Sequence, residues 1–224
     1  MWARIEDNKI VEYYDRKQSI VLNNVRYSSQ IFTIWTDAQR KDLGILPIVI
    51  SGTHLNTNYY IEKDHSDAIA GDGNSVIRTI GVKAADKALA DVNEVWTQGE
   101  IDSGYAPDGT SVNDPKLDLD GNQVVTRGLK YYALQNVKKQ QEGFLSQTDW
   151  YIIRKADAGT AIPSNIQTWR NAIRTDATEI ETAITNAADM DAFIALHNHT
   201  YKTVDGKQVV DVVARVNRWT KLGT

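Results

Sequence analysis

QEGFLSQTDWYIIRKADAGTAIPSNIQTWRNAIRTDA, residues 141–177, reads as two helices joined by a short, well-punctuated connection. Thr148 or Ser146 can cap the first helix, and Asp149 lies near its positive end. Trp150 and Ile153 are three positions apart and share a face. Gly159 fits a C-terminal stop. Pro163 stands where a new helix can begin, with Ser164 and Asn165 in its polar first turn. The second helix carries Ile166, Trp169, Ile173, Ala177, Ile180 and Ile184, an apolar stripe at helical period, with Arg170, Arg174 and Glu181 off it. The pattern predicts a helical hairpin over residues 141–187, with Trp150 and Trp169 facing a common seam. Arg154 is expected to pair with Asp157, three positions on, or to cap carbonyls of the neighbouring helix. Its alternative is a solvated surface arginine.

Outward from this stretch, the chain has room for one domain or two small ones at 224 residues. Its 42% hydrophobic and 24% charged residues are ordinary for a folded protein. A net charge of -4, with no cluster of lysine and arginine, argues against a nucleic-acid scaffold. Without cysteine, disulfides, thiolate zinc sites and cysteine nucleophiles are excluded. No apolar run approaches the ~20 residues of a membrane span. The polar start MWARIEDNKI does not read as a signal peptide. Tryptophan and tyrosine outnumber phenylalanine, a bias that suits interfaces and cores equally.

In chain order, residues 2–14 hold two short alternating runs around Asp7-Asn8-Lys9, a hairpin signal. Residues 20–22 and 31–34 offer two more strands. Thr36 caps a helical turn or two that Gly44 ends. Residues 48–50 read as a buried strand, and 59–63 and 76–83 as further strands, with Gly71-Asp72-Gly73-Asn74 as a turn. The first 85 residues therefore look like a small antiparallel sheet. Residues 84–96 suit a helix or an arm. Residues 102–123 combine glycine, proline and little apolar content, which reads as a loop or linker with a turn at Asp120-Gly121-Asn122. Residues 124–143 look helical, with Leu129, Tyr132, Ala133, Val137 and Gln140 near one face. Met190, Phe193, Ile194 and His197 share helical spacing, and Asp205-Gly206 signals a closing hairpin. The expected class is α+β: an amino-terminal β-rich region over 1–101, a turn-rich linker or loop over 102–123, and a carboxyl-terminal helical hairpin or bundle over 124–224 with a short β-like tail.

Sites of known chemistry are hard to assemble from these residues. A calcium loop with Gly121 in sixth place puts Lys116 first and Arg127 twelfth, so cations occupy two ligand positions. His197 and His199 lack the third ligand that zinc wants. Asp149 and Asp157 would stand ~12 Å apart on one helix, beyond the ~5–9.5 Å of glycosidase pairs. No phosphate loop, GxSxG or HExxH occurs. Catalytic, cofactor-binding and metal residues are accordingly assigned as none, and no enzyme activity is expected.

Thr148-Asp149-Trp150, Arg154, Ala156-Asp157-Ala158-Gly159-Thr160, Pro163, Trp169-Arg170 and Arg174 form a pattern of their own. It resembles the carboxyl-terminal domain of bacteriophage tail proteins described as tail-assembly-chaperone-like or tail-fibre-associated. The opening MWARIEDNKIVEYY is loosely similar to the start of such proteins. The resemblance leaves residues 20–128 uncovered. It implies a virion structural protein of the tail, in the baseplate or at a fibre attachment, or alternatively an assembly chaperone that leaves. It further implies other tail, baseplate or fibre proteins as partners, with a homo-oligomer as a further option. Neither nucleic acid nor membrane is among them. The location implied is the virion, reached through the host cytoplasm during assembly.

Overall fold

The first hairpin forms because Asp7 and Asn8 both accept a left-handed backbone, with φ of 49° and 59°. That is the requirement of a tight two-residue turn whose twist matches its strands. The computed structural model describes residues 1–223. The chain divides into two compact units, Met1–Asp86 and the part from Lys87 onward.

In the first unit, β1 (Trp2–Glu6) pairs antiparallel with β2 (Lys9–Tyr14). A second hairpin, β3 (Ile20–Leu22) and β4 (Val25–Tyr27), turns on Asn23 and Asn24, again at positive φ. The strand expected over 31–34 is instead a 3-10 turn, Ser29–Phe32, which drives Ile31 and Phe32 into the core. Thr36 and Gln39 form a reciprocal capping box on α1 (Asp37–Lys41). Gly44 follows at φ +72°, and a Cβ there would lie 2.7 Å from the Ile5 carbonyl oxygen. This close approach lets β5 (Ile45–Ser51) pair with β1.

Next come β6 (Tyr60–Glu62), β7 (Ser66–Ile69), β8 (Val76–Thr79) and β9 (Lys83–Asp86). The main sheet runs β2-β1-β5-β8-β7, while β6 and β9 pair separately. β5 and β8 are parallel, so the sheet is mixed rather than wholly antiparallel. The chain between them is long enough for the crossover that a parallel pair requires. One core cluster joins Tyr14, Ile20, Leu22, Ile31, Phe32 and Ile45, with Trp2 against Phe32 at 4.7 Å. A second joins Ala3, Leu46 and Val76.

The second unit opens in extended chain, not a helix. β10 (Val92–Asn93) pairs with β11 (Val125–Thr126), and between them lie α2 (Gln98–Asp102) and a series of turns. The segment 102–123 is therefore no linker between units, because the division falls at residue 86. Its backbone is tied in by Trp96 N–H to the Asp114 carbonyl, Lys116 N–H to the Glu94 carbonyl and Val124 N–H to the Lys116 carbonyl, each 2.8 or 2.9 Å. Lys116 and the Thr97 cap hold the Glu100 carboxyl down to about 2. Polar satisfaction orders a stretch that has too little apolar surface to order itself.

α3 (Leu129–Ser146) is started by the 88–91 chain: Ala88 and Leu89 carbonyls accept from the Leu129 and Lys130 N–H groups, and the Asp91 carboxylate from that of Gly128. After α4 (Asp149–Ala158) comes α5 (Ser164–Asn186), then α6 (Met190–His197), capped by Asp189. α5 packs chiefly on α3, whose Ala133 and Val137 are buried, and far less on α4. The expected hairpin seam is thus an α3–α5 seam. β12 (Thr200–Val204) and β13 (Lys207–Val212) form a hairpin exposed along its whole length, and a 3-10 turn, Arg215–Asn217, follows.

Candidate interaction surface

The residues of the phage-like pattern separate into three groups. The first is a clamp at the α3–α4 junction. The Leu145 carbonyl, in the last turn of α3, accepts from the Thr148 N–H at 3.1 Å where the helix closes, and has room for further donors. Arg170, on α5 and only 5% exposed, donates from Nη1 to that carbonyl and to Thr148 Oγ1, both at 2.7 Å. The same nitrogen is 2.9 Å from the Asp149 carboxylate. Thr148, itself buried, donates its hydroxyl to the Leu145 carbonyl at 3.1 Å, so it does not cap α4 through its side chain. A cation at the negative end of α3 and a carboxylate at the positive end of α4 each sit where the helix dipole favours them. Tertiary placement therefore joins Thr148, Asp149 and Arg170.

The second group lies on α4. Trp150 was expected in the seam but is 49% exposed, and Ile153 is 67% exposed. The Trp150 and Tyr151 rings stack at 3.7 Å. The Arg154 guanidinium lies over both, 4.7 Å from Trp150 and 5.2 Å from Tyr151. Arg154 therefore takes none of the expected roles: it neither pairs with Asp157 nor caps a carbonyl of the neighbouring helix, nor does it stand free in water. Its Nε is buried without a hydrogen-bond partner, because aromatic faces occupy that side of the group. With Ile152 also exposed, α4 presents apolar surface and buries none of its residues.

The third group is punctuation and core. Gly159 ends α4 at φ +66°. Pro163 stands at the start of α5 and accepts from Gln167 N–H at 3.0 Å. Trp169 is buried, and its indole N–H donates to the Thr220 carbonyl at 3.0 Å, so its partner is the carboxyl-terminal segment rather than Trp150. Arg174 is exposed and makes only local contacts with the Arg170 carbonyl and Asn171. Tyr151 and Trp219 belong to these arrangements but escaped the sequence reading. Tyr151 was visible as the residue three before Arg154; Trp219 had no local signal.

Charged clusters elsewhere serve the fold of their own unit. In the first, Asp67 takes two hydrogen bonds from Arg78 at 2.9 and 2.7 Å, which hold its carboxyl below the usual range. The neighbouring Asp67 carboxylate pushes the Tyr13 hydroxyl up. Glu62 accepts from the Gly81 and Leu55 N–H groups and from His54, and these lower its carboxyl. His197 contacts the Phe193 carbonyl, and His199 accepts from Ala214 N–H. Among the described residues no group of three or more histidine or acidic side chains is disposed to hold a metal ion, and no helix is long and apolar enough to cross a membrane. No family model, curated protein or solved structure matches the chain.

Proposed function

We propose that this protein is a structural component of a bacteriophage virion, a part of the tail at the baseplate or a fibre attachment. It works by binding other tail, baseplate or fibre proteins, with further copies of itself as additional partners, and it carries no catalytic role. The observation that carries the binding role is α4, a helix with Trp150, Ile152 and Ile153 exposed together. An apolar patch of this kind marks a surface that another protein covers. The clamp of Arg170 on Leu145, Thr148 and Asp149 anchors the start of α4, so the patch is presented on a fixed base. The phage-tail resemblance over residues 148–174 supplies the class of partner, and Thr148, Asp149, Trp150, Arg154 and Arg170 of its pattern fall in this clamp and patch. The protein would then reside in the virion after assembly in the host cytoplasm.

The second reading, an assembly chaperone, uses the same surface and differs only in whether the protein stays. Quantitative mass spectrometry of purified virions separates the two. A fixed copy number per tail is expected. Absence from virions, with tails failing to assemble when the protein is removed, selects the chaperone. Absence with normal tails rejects both.

A further inference from the structure

A groove of about 330 Å³ in the second unit is walled by Phe144, Trp169, Trp219 and Leu222. Phe144 and Trp219 meet at 5.1 Å. Both indole N–H groups are spent within the unit: Trp169 on the Thr220 carbonyl, Trp219 on Gln140 at 2.8 Å. The walls therefore offer ring faces, and their occupant is apolar. One cation, Lys221, lines the groove, beside the polar side chains of Gln147, Asn217 and Thr220. Arg218 is nearby in sequence, whereas Arg215 is paired with Glu179 at 2.8 Å. The Asp176 carboxylate is engaged by Thr220 N–H at 2.6 Å.

The same unit carries a complementary knob. Leu119 is wholly exposed at the tip of a turn. Asp118 fixes that turn by accepting from the Asp120 and Asn122 N–H groups at 3.0 and 2.8 Å, and Gly121 supplies the positive φ of +81°. Residues 97–123 hold Glu100, Asp102, Asp108, Asp114, Asp118 and Asp120 against Lys116 alone. An acidic loop with an apolar tip matches an apolar groove whose one charged lining residue is the cation Lys221. We propose that the Leu119 turn of one copy docks in the Trp169–Trp219 groove of a second copy. Knob and groove are different surfaces, so the contact is head-to-tail and leads to a ring or a filament. Its small area places it among weak contacts, and its charge makes it salt-sensitive.

This deepens the self-association named above and rests on the protein-binding reading only in that respect. The test is sedimentation velocity of the full chain over a wide concentration range, at low and high salt. Association that weakens with salt is expected. Leu119→Ser, at a side chain that touches no core, should weaken it about tenfold or more, the loss that follows from removing a buried leucine. Leu222→Glu should do the same from the groove side, with Lys221→Glu in its place if that variant unfolds. A mixture of a knob variant and a groove variant should give a 1:1 dimer that grows no further, since one intact pair of surfaces remains. A protein monomeric throughout, association indifferent to Leu119→Ser, or a mixture that behaves like its components would overturn the proposal. None of these results removes the protein from the virion, so the mass spectrometry still decides the tail assignment.

Discussion

α4 and α5 stand a few residues apart, and each carries a tryptophan. α5 buries Ile166, Trp169, Ile173, Ala177, Ile180 and Ile184, whereas α4 buries nothing. The difference is in spacing, not in apolar content. Successive helical residues are about 100° apart, so the α5 positions, at steps of three and four, stay within one stripe. Trp150, Tyr151, Ile152 and Ile153 are consecutive, and together they spread over roughly 300° of the helix. No orientation of α4 buries all four. A run of apolar residues on a helix is thus a weaker sign of core than the same residues dispersed at helical period.

Substitutions can break this contrast, and the largest effect is expected at Trp169. Trp169→Ala should lose about 3–5 kcal/mol, because the ring is buried and its site cannot collapse fully. Urea unfolding followed by circular dichroism measures it; a loss under about 1 kcal/mol would place Trp169 with Trp150 instead. Arg170→Ala comes next, at about 3 kcal/mol, since it strips the Leu145 carbonyl and Thr148 of a buried charged donor. A cycle with Asp149→Asn sharpens the point: non-additive losses are expected, and simple additivity would mean the clamp does not act as a unit. Gly159→Ala should cost about 1–2 kcal/mol from the left-handed backbone alone, as nothing lies within 4 Å of a Cβ there. Restoring the loss with Asn, which tolerates that backbone, would identify the cause.

A smaller stability effect belongs to Trp150→Ala, about 0.5–1 kcal/mol for an exposed ring–guanidinium contact. Ile153→Asp should move stability by no more than about 0.5 kcal/mol. Under the proposed binding role both should nonetheless weaken capture of the partner, which pull-down with each variant can score against the parent. Melting several degrees lower in either variant would return α4 to the core.

Buried arginines show a second limit of local reading. Arg40 in the first unit and Arg170 in the second both look like surface cations on helices, yet they are 8% and 5% exposed. Arg40 donates to the Ile31 and Trp35 carbonyls at 2.9 and 2.6 Å, as Arg170 does to that of Leu145. Each donates to carbonyls where a turn or a helix ends. The donor and acceptor are 9 residues apart in one case and 25 in the other, so no helical spacing rule joins them. The α5 stripe, the first hairpin and the Thr36 cap were legible because each is written within a few residues. The 3-10 turn at Ser29–Phe32 was missed because Ile31, Phe32 and Ile34 look like a strand when read alone.

Sequence by itself determined the α+β class, the turn at Asp7-Asn8, the stop at Gly159, the start at Pro163 and the face of α5 that must be buried. These follow from backbone preferences and side-chain periods that act over one or two turns of chain. Only the tertiary structure decided that α3 rather than α4 covers that face, that β5 and β8 run parallel, and that Arg170 closes the end of α3. A stripe specifies that a face must be covered but carries no information about which element covers it. That choice falls to the competition among all apolar faces for the same water-free space, and here α3 won it.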